Sequence, residues 1–125
     1  GYVLGARVPA QVTAAGMMML ALREPAALEG WLATRELRVF TSHTIASKER
    51  MREELARIRE RGWALSEQQL DLNSRGVAVP LRDRHGHLIG ALNVTMPIGQ
   101  EKAEDAVARV LPVLRETAQA MRSLV

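Results

Sequence analysis

Apolar residues recur along this chain with two different periods, and the change of period marks out its elements. From Ser47 to Gly62, Met51, Leu55 and Ile58 stand three or four apart among charged residues, which predicts an amphipathic helix. Ser47 is placed to cap its start and Gly62 its end. Upstream, nearly every residue from Ala14 to Leu22 is apolar, with Thr13 as the expected N-cap; a helix apolar on all sides is a buried one. Glu24-Pro25 opens a second short helix, with Leu28, Trp31 and Leu32 as its apolar face. Arg35 to Ala46 sustains no period and reads as a connector.

The period then falls to two. Trp63 to Leu70 is expected to be a strand, closed by a turn at Asp71-Leu72-Asn73-Ser74. Val77, Val79 and Leu81 alternate with Ala78, Pro80 and Arg82, and Asp83-Arg84-His85-Gly86 turns the chain into Leu88–Thr95, forming a β-hairpin. Pro80 weakens the expectation of a strand there. Met96-Pro97-Ile98-Gly99 breaks the pattern before a long helix marked by Ala103, Val107, Leu111, Leu114, Ala118 and Met121, which Pro112 is expected to kink or divide. At the other end, Tyr2-Val3-Leu4 looks like the end of a strand running through Gly5 into a turn at Pro9, so the chain reads as entered in mid-element. The order of elements implies an α+β domain, helices packed on an antiparallel sheet.

Composition adjusts this picture only slightly. The 125 residues are one domain's worth, and a chain of this size buries about two-thirds of its unfolded surface, so its margin of stability is sensitive to any missing neighbour. Seventeen basic residues against fourteen acidic ones give a net charge of +3, but the signs interleave, most densely from Lys48 to Arg61, as on a solvated helix rather than a nucleic-acid patch. With no cysteine, there is no disulfide frame, thiolate metal site or thiol nucleophile. No apolar run reaches the roughly 20 residues of a membrane span, and the cytoplasm is the default compartment.

Two places carry candidate chemistry. The opening amides of the helix after Thr13 lack internal partners and sit at the positive end of its dipole, and small side chains at Ala14, Ala15 and Gly16 let an anion approach them. The alternative is that these small residues only permit tight helix packing. On the strand Leu88–Thr95, Asn93 and Thr95 share one face and Leu88, Leu92 and Val94 the other, so the polar pair either enters a concave site or faces solvent. Arg75, after a turn, offers a fork of donors to a carboxylate unless it is merely solvated. His85 and His87 lie in the hairpin turn with only Asp83 as a third ligand, and His43 is isolated, so no metal or cofactor is expected. No nucleophile elbow, phosphate loop or HExxH pattern occurs, and no nucleophile is paired with a base, so an enzyme is not expected.

Gly5-Ala6-Arg7-Val8-Pro9-Ala10-Gln11-Val12-Thr13-Ala14-Ala15-Gly16, then Arg61-Gly62-Trp63-Ala64, Val77-Ala78-Val79-Pro80-Leu81-Arg82-Asp83 and Ala91-Leu92-Asn93-Val94-Thr95 together resemble the effector-binding domain of IclR-family regulators. The Arg75-x-Val-Ala-Val-Pro run and the Ala-Leu-Asn-Val strand are most similar to the subgroup controlling aromatic-acid catabolism, of the protocatechuate, 4-hydroxybenzoate and β-ketoadipate type. The resemblance implies a GAF-like or profilin-like α+β fold, with residues 1–125 forming the C-terminal part of the effector domain. Its winged helix-turn-helix and the domain's first elements would lie outside this chain. It implies effector contacts at Ala14, Ala15, Ser66, Gly76, Asn93 and Thr95. Two departures stand out. Ser66 replaces an acidic residue found in some members, and Gly76 stands where Ser or Cys is common; both remove polar contacts, and Gly76 also makes room for a bulkier ligand. The implied partners are a small organic acid and further copies of the chain in a homodimer or tetramer, with DNA reached only through the other domain. A domain serving purely for oligomerisation is the rival expectation.

Overall fold

The structure, a computed structural model, describes residues 8–125; the strand end expected at Tyr2-Val3-Leu4 and the Gly5 end of its turn lie outside the described residues. Three strands, β1 (Ala64–Glu67), β2 (Ser74–Arg82) and β3 (Leu88–Pro97), form an antiparallel sheet in the order β1-β2-β3. Helices cover both of its faces, which is the expected α+β class. A 3-10 turn (Ala10–Val12) leads into α1 (Ala14–Ala21), followed by α2 (Pro25–Thr34) and α3 (Lys48–Arg61); α4 (Ala103–Met121) closes the chain.

The period of two decides what each face of the sheet meets. Ala64 and Ala78 point to α1 and join its Met17, Met18 and Leu20, with Leu32 of α2 and Met51, Leu55 and Ile58 of α3, in one buried cluster. Val77 and Val79 point the other way, against Val107 and Leu114 of α4, with Trp63, Leu65, Leu92 and Val94 half-buried around them. Full burial of a side chain the size of Leu or Met is worth about 1.5–3 kcal/mol. The fully buried Met17, Met18, Met51, Leu55 and Ile58 therefore hold α3 to α1 far more strongly than helix propensity does. Met19 alone on α1 points outward, at 36% exposure, so the all-apolar helix has one exposed side.

The helix ends follow their local chemistry. Thr13 Oγ1 accepts from the Gly16 N–H at 3.0 Å and Ser47 Oγ from the Arg50 N–H at 3.2 Å. Gly62 adopts φ 82°, the left-handed conformation that ends a helix at low cost for glycine. In the hairpin turn, Asp83 Oδ1 accepts from the His85 and His87 amides at 2.8 and 2.9 Å, so its carboxylate organises the turn.

The strand boundaries differ from expectation. β1 ends at Glu67 rather than Leu70, because Gln68 takes φ 58° and swings the chain out of the ladder. β2 begins at Ser74, the last residue of the expected turn, which puts Arg75 and Gly76 in the sheet, and β3 continues through Met96 and Pro97. β2 is central in spite of Pro80: its pairing with β1 reaches only Ala78, so the proline lies where that side of the strand is open and a missing donor is tolerated. Nor does Pro112 divide α4, which runs unbroken from Ala103 to Met121. The carbonyl it leaves without a partner belongs to Ala108, which is exposed and open to water.

Candidate effector site

Direct cross-strand pairing places Ser66, Gly76 and Thr95 side by side on one row across the sheet, and Ala64, Ala78 and Asn93 on the next. All six face α1, and none is larger than asparagine. The start of α1 lies directly over the first row. A Cβ on Gly76 would stand 3.3 Å from the Ala14 Cβ and 3.7 Å from Thr95 Oγ1, so the missing side chain is what lets helix and strand come this close. Between them is a cavity of about 340 Å³, near the lower end of the ~300–1,000 Å³ usual for small-ligand sites.

Its walls come from four parts of the chain. Thr13, Ala14 and Ala15 form one end, and Val8 and Val12 supply apolar surface beside them. Ser66, Gly76, Asn93 and Thr95 form the floor. Gln69, Leu70 and Ser74 close the third side. The sequence reading had not singled out Gln69. It is held by the connector: Thr44 Oγ1 donates to the Gln69 carbonyl at 2.6 Å, and the Ile45 N–H donates to Gln69 Oε1 at 3.1 Å. Partners 24 and 25 residues away leave no local signal. Val12 and Thr13 adjoin the named helix start and were within reach of the same argument.

Each polar group has a defined commitment. Ser66 Oγ donates to the Val12 carbonyl at 2.6 Å, tying β1 to the 3-10 turn and leaving its lone pairs toward the cavity as acceptors. Asn93 Nδ2 donates to Thr95 Oγ1 at 3.3 Å; both residues are exposed, so this pair is free to exchange partners with an incoming molecule. Among the described residues, the Ala14 and Ala15 amides donate to no protein acceptor. They give this end of the cavity its positive potential.

Two expected contacts are corrected. Gly16 does not line the cavity. Its amide is taken by the Thr13 cap, and a Cβ there would come within 2.3 Å of the Ala10 carbonyl oxygen, so this glycine serves close packing against the 3-10 turn. Arg75 is neither solvated nor a counter-charge. It is 3% exposed, and strand alternation sends its side chain to the α4 face, where it pairs with Glu67, its direct cross-strand neighbour. Arg75 Nε and Nη2 donate to the two Glu67 carboxylate oxygens at 2.7 and 2.8 Å, and Nη1 to the Glu101 carbonyl at 2.8 Å. The Glu67 hydrogen bonds raise its pKa above the ordinary arginine value. Arg75 thus contributes to the cavity wall without aiming its charge inward, and Ala14, Ala15, Ser66, Gly76, Asn93 and Thr95 are the expected residues that the fold brings together.

Residues 2–123 match the family of the bacterial transcriptional regulator IclR C-terminal domain. The chain belongs to the IclR family. Over 124 residues this IclR domain is 32% identical to the Pca operon regulatory protein of Acinetobacter baylyi, covering 99% of the chain and 45% of that protein. It is 30% identical over 125 residues to the p-hydroxybenzoate hydroxylase transcriptional activator of the same organism, covering 100% of the chain and 46% of the relative. The chain therefore spans less than half the length of these relatives, which are transcriptional regulators and not enzymes. In structure it is similar to the inducer-binding domain of Acinetobacter PobR, a double mutant in complex with 3-hydroxybenzoic acid, with TM-score 0.92 and 30% identity over 98% of this chain and 70% of that one. Thermotoga maritima IclR gives TM-score 0.87 at 26% identity, over 98% of this chain and 49% of that one. The IclR fold and the effector-binding class of the domain rest on these likenesses. No helix among the described residues is long and apolar enough to cross a membrane.

Proposed function

We propose that this IclR domain senses a small aromatic carboxylic acid in the cavity between the start of α1 and the Ser66–Gly76–Thr95 row. The observation that carries the reading is the pairing of two unpartnered helix-start amides with a cavity whose lining side chains direct no charge inward. A carboxylate would sit on the Ala14 and Ala15 amides, where the helix dipole favours negative charge. The ring would lie over Gly76 against Val12 and Leu70, and Ser66, Gln69, Asn93 and Thr95 would address ring hydroxyls. Support for an aromatic acid comes from the PobR domain's 3-hydroxybenzoic acid complex and from the Pca and p-hydroxybenzoate relatives. In the longer regulator, an acid with different affinities for two arrangements of a dimer or tetramer would shift the balance between them, and with it operator binding by the DNA-binding domain.

A thermal-shift titration of the chain against 3-hydroxybenzoate, 4-hydroxybenzoate and protocatechuate, with the matching benzamides as controls, tests this. A bound acid stabilises by about 2.7 kcal/mol at a hundredfold excess over Kd. The expected result is saturable stabilisation by an acid and none by its amide. An equal response to acid and amide would remove the carboxylate from the helix start, and no response to any acid would favour a domain serving only for assembly.

A further inference from the structure

A second cavity, also about 340 Å³, lies beyond the end of β1, where the open edge of β2 meets the last turns of α4 and Gly62 at the end of α3. Its chemistry is unlike that of the first. Arg115, Ala118 and Gln119 of α4 and its C-cap Arg122 line it at i, i+3, i+4 and i+7, one helix face, and Val79, Pro80 and Arg82 line it from β2. Three arginines therefore line one small space, and no Asp or Glu lines it. Two of the three are held in place by the hairpin turn: Arg82 Nη1 donates to the Gly86 carbonyl at 3.1 Å, and Arg122 Nε to the Asp83 carbonyl at 3.2 Å. These bonds go to neutral carbonyl oxygens, so they orient the cations without neutralising them. The one acid in that turn, Asp83, directs its carboxylate to the turn's own amides. Arg115 has no ion-pair or hydrogen-bond partner among the described residues, although five other arginines form ion pairs with acids there.

We propose that this cavity is a second ligand site, taking a small anion with two or more negative charges, a polycarboxylate or a phosphorylated compound. Three arginines around one cavity offer planar forks of donors that match carboxylate and phosphate oxygens, and a single negative charge would leave two of them unneutralised. Val79, Pro80 and Ala118 give the floor an apolar strip for a short carbon body. The site shares no lining residue with the helix-start cavity.

Calorimetric titration of the chain with citrate and with inorganic pyrophosphate, at low ionic strength and against sodium chloride of matched ionic strength, tests the proposal. Saturable binding of either anion is expected. Citrate alone would assign a polycarboxylate site, pyrophosphate alone a phosphate site, and both a site selecting charge. Arg115→Gln and Arg122→Gln should each weaken that binding at least tenfold; Arg115 is exposed, so its replacement leaves the fold intact. Ala15→Leu, which blocks the other cavity, should leave it unchanged. A response matched by sodium chloride, or full affinity in both arginine variants, would overturn the assignment.

Discussion

The two faces of the sheet are made by alternate residues of the same three strands, yet the middle of the α4 face is filled by valines and leucines while the α1 face is hollow beneath the helix start. Toward α4 the strands present Leu65, Val77, Val79, Leu92 and Val94, which interlock with Val107, Leu114 and the helix residues around them. Toward α1, Ala64 and Ala78 pack into the helical core, whereas Ser66, Gly76, Asn93 and Thr95 are too small to fill the space beneath the helix start. The filled face supplies cohesion by removing apolar surface from water. The other leaves a polar-edged void, where a few placed donors and acceptors decide what fits. At this end of the sheet cohesion and recognition thus fall to alternate positions of single strands, and a one-residue shift of register would exchange the two roles.

That division predicts which substitutions affect which property. Leu114→Ala on the filled face should cost about 2–5 kcal/mol of stability, read by denaturant unfolding. The variant that remains folded should keep the wild-type Kd for its acid; a changed Kd would show that the faces are not separate. Ala15→Leu should do the reverse, weakening acid binding at least a hundredfold, or about 2.7 kcal/mol, while the unfolding midpoint stays near wild type. Unchanged affinity in that variant would sink the placement of the carboxylate. Arg75→Gln should destabilise by about 1.5–3 kcal/mol, because it leaves Glu67 and the Glu101 carbonyl without their charged donor. Its Kd for the acid should not move, whereas an Arg75 that met the ligand directly would reveal itself by a large loss of affinity. Asn93→Ala should have the smallest effect, a loss of about 0.5–1.5 kcal/mol in binding and little in stability, measured by calorimetry on the same acid and its amide.

Arg75 also shows where sequence reasoning stopped short. Once Ser74 is known to begin β2, alternation alone separates Arg75 from Gly76 and sends them to opposite faces. The turn formers at Asp71 to Ser74 had drawn the strand's start three residues too late, and with it the arginine's environment. Asn93 and Thr95 were separable from Leu92 and Val94 because their strand was placed within two residues. Gln69 lay beyond reach, since its position depends on Thr44 and Ile45 in a connector that has no period of its own.

By itself the sequence determined what depends on neighbours along the chain. The Thr13 and Ser47 caps, the left-handed Gly62, the α3 stripe of Met51, Leu55 and Ile58, and the Asp83 hairpin all arise from contacts within a few residues, so local chemistry sufficed. Only the tertiary structure decided that Ser66, Gly76 and Thr95 form one row under the start of α1, that Gly16 is consumed by packing, and that Arg75 turns away to Glu67. It also brought Arg82 to the Arg115–Arg122 face of α4. Each of these depends on which element lies over which strand, and that is settled by the summed burial of side chains distant in sequence, a quantity no local pattern contains.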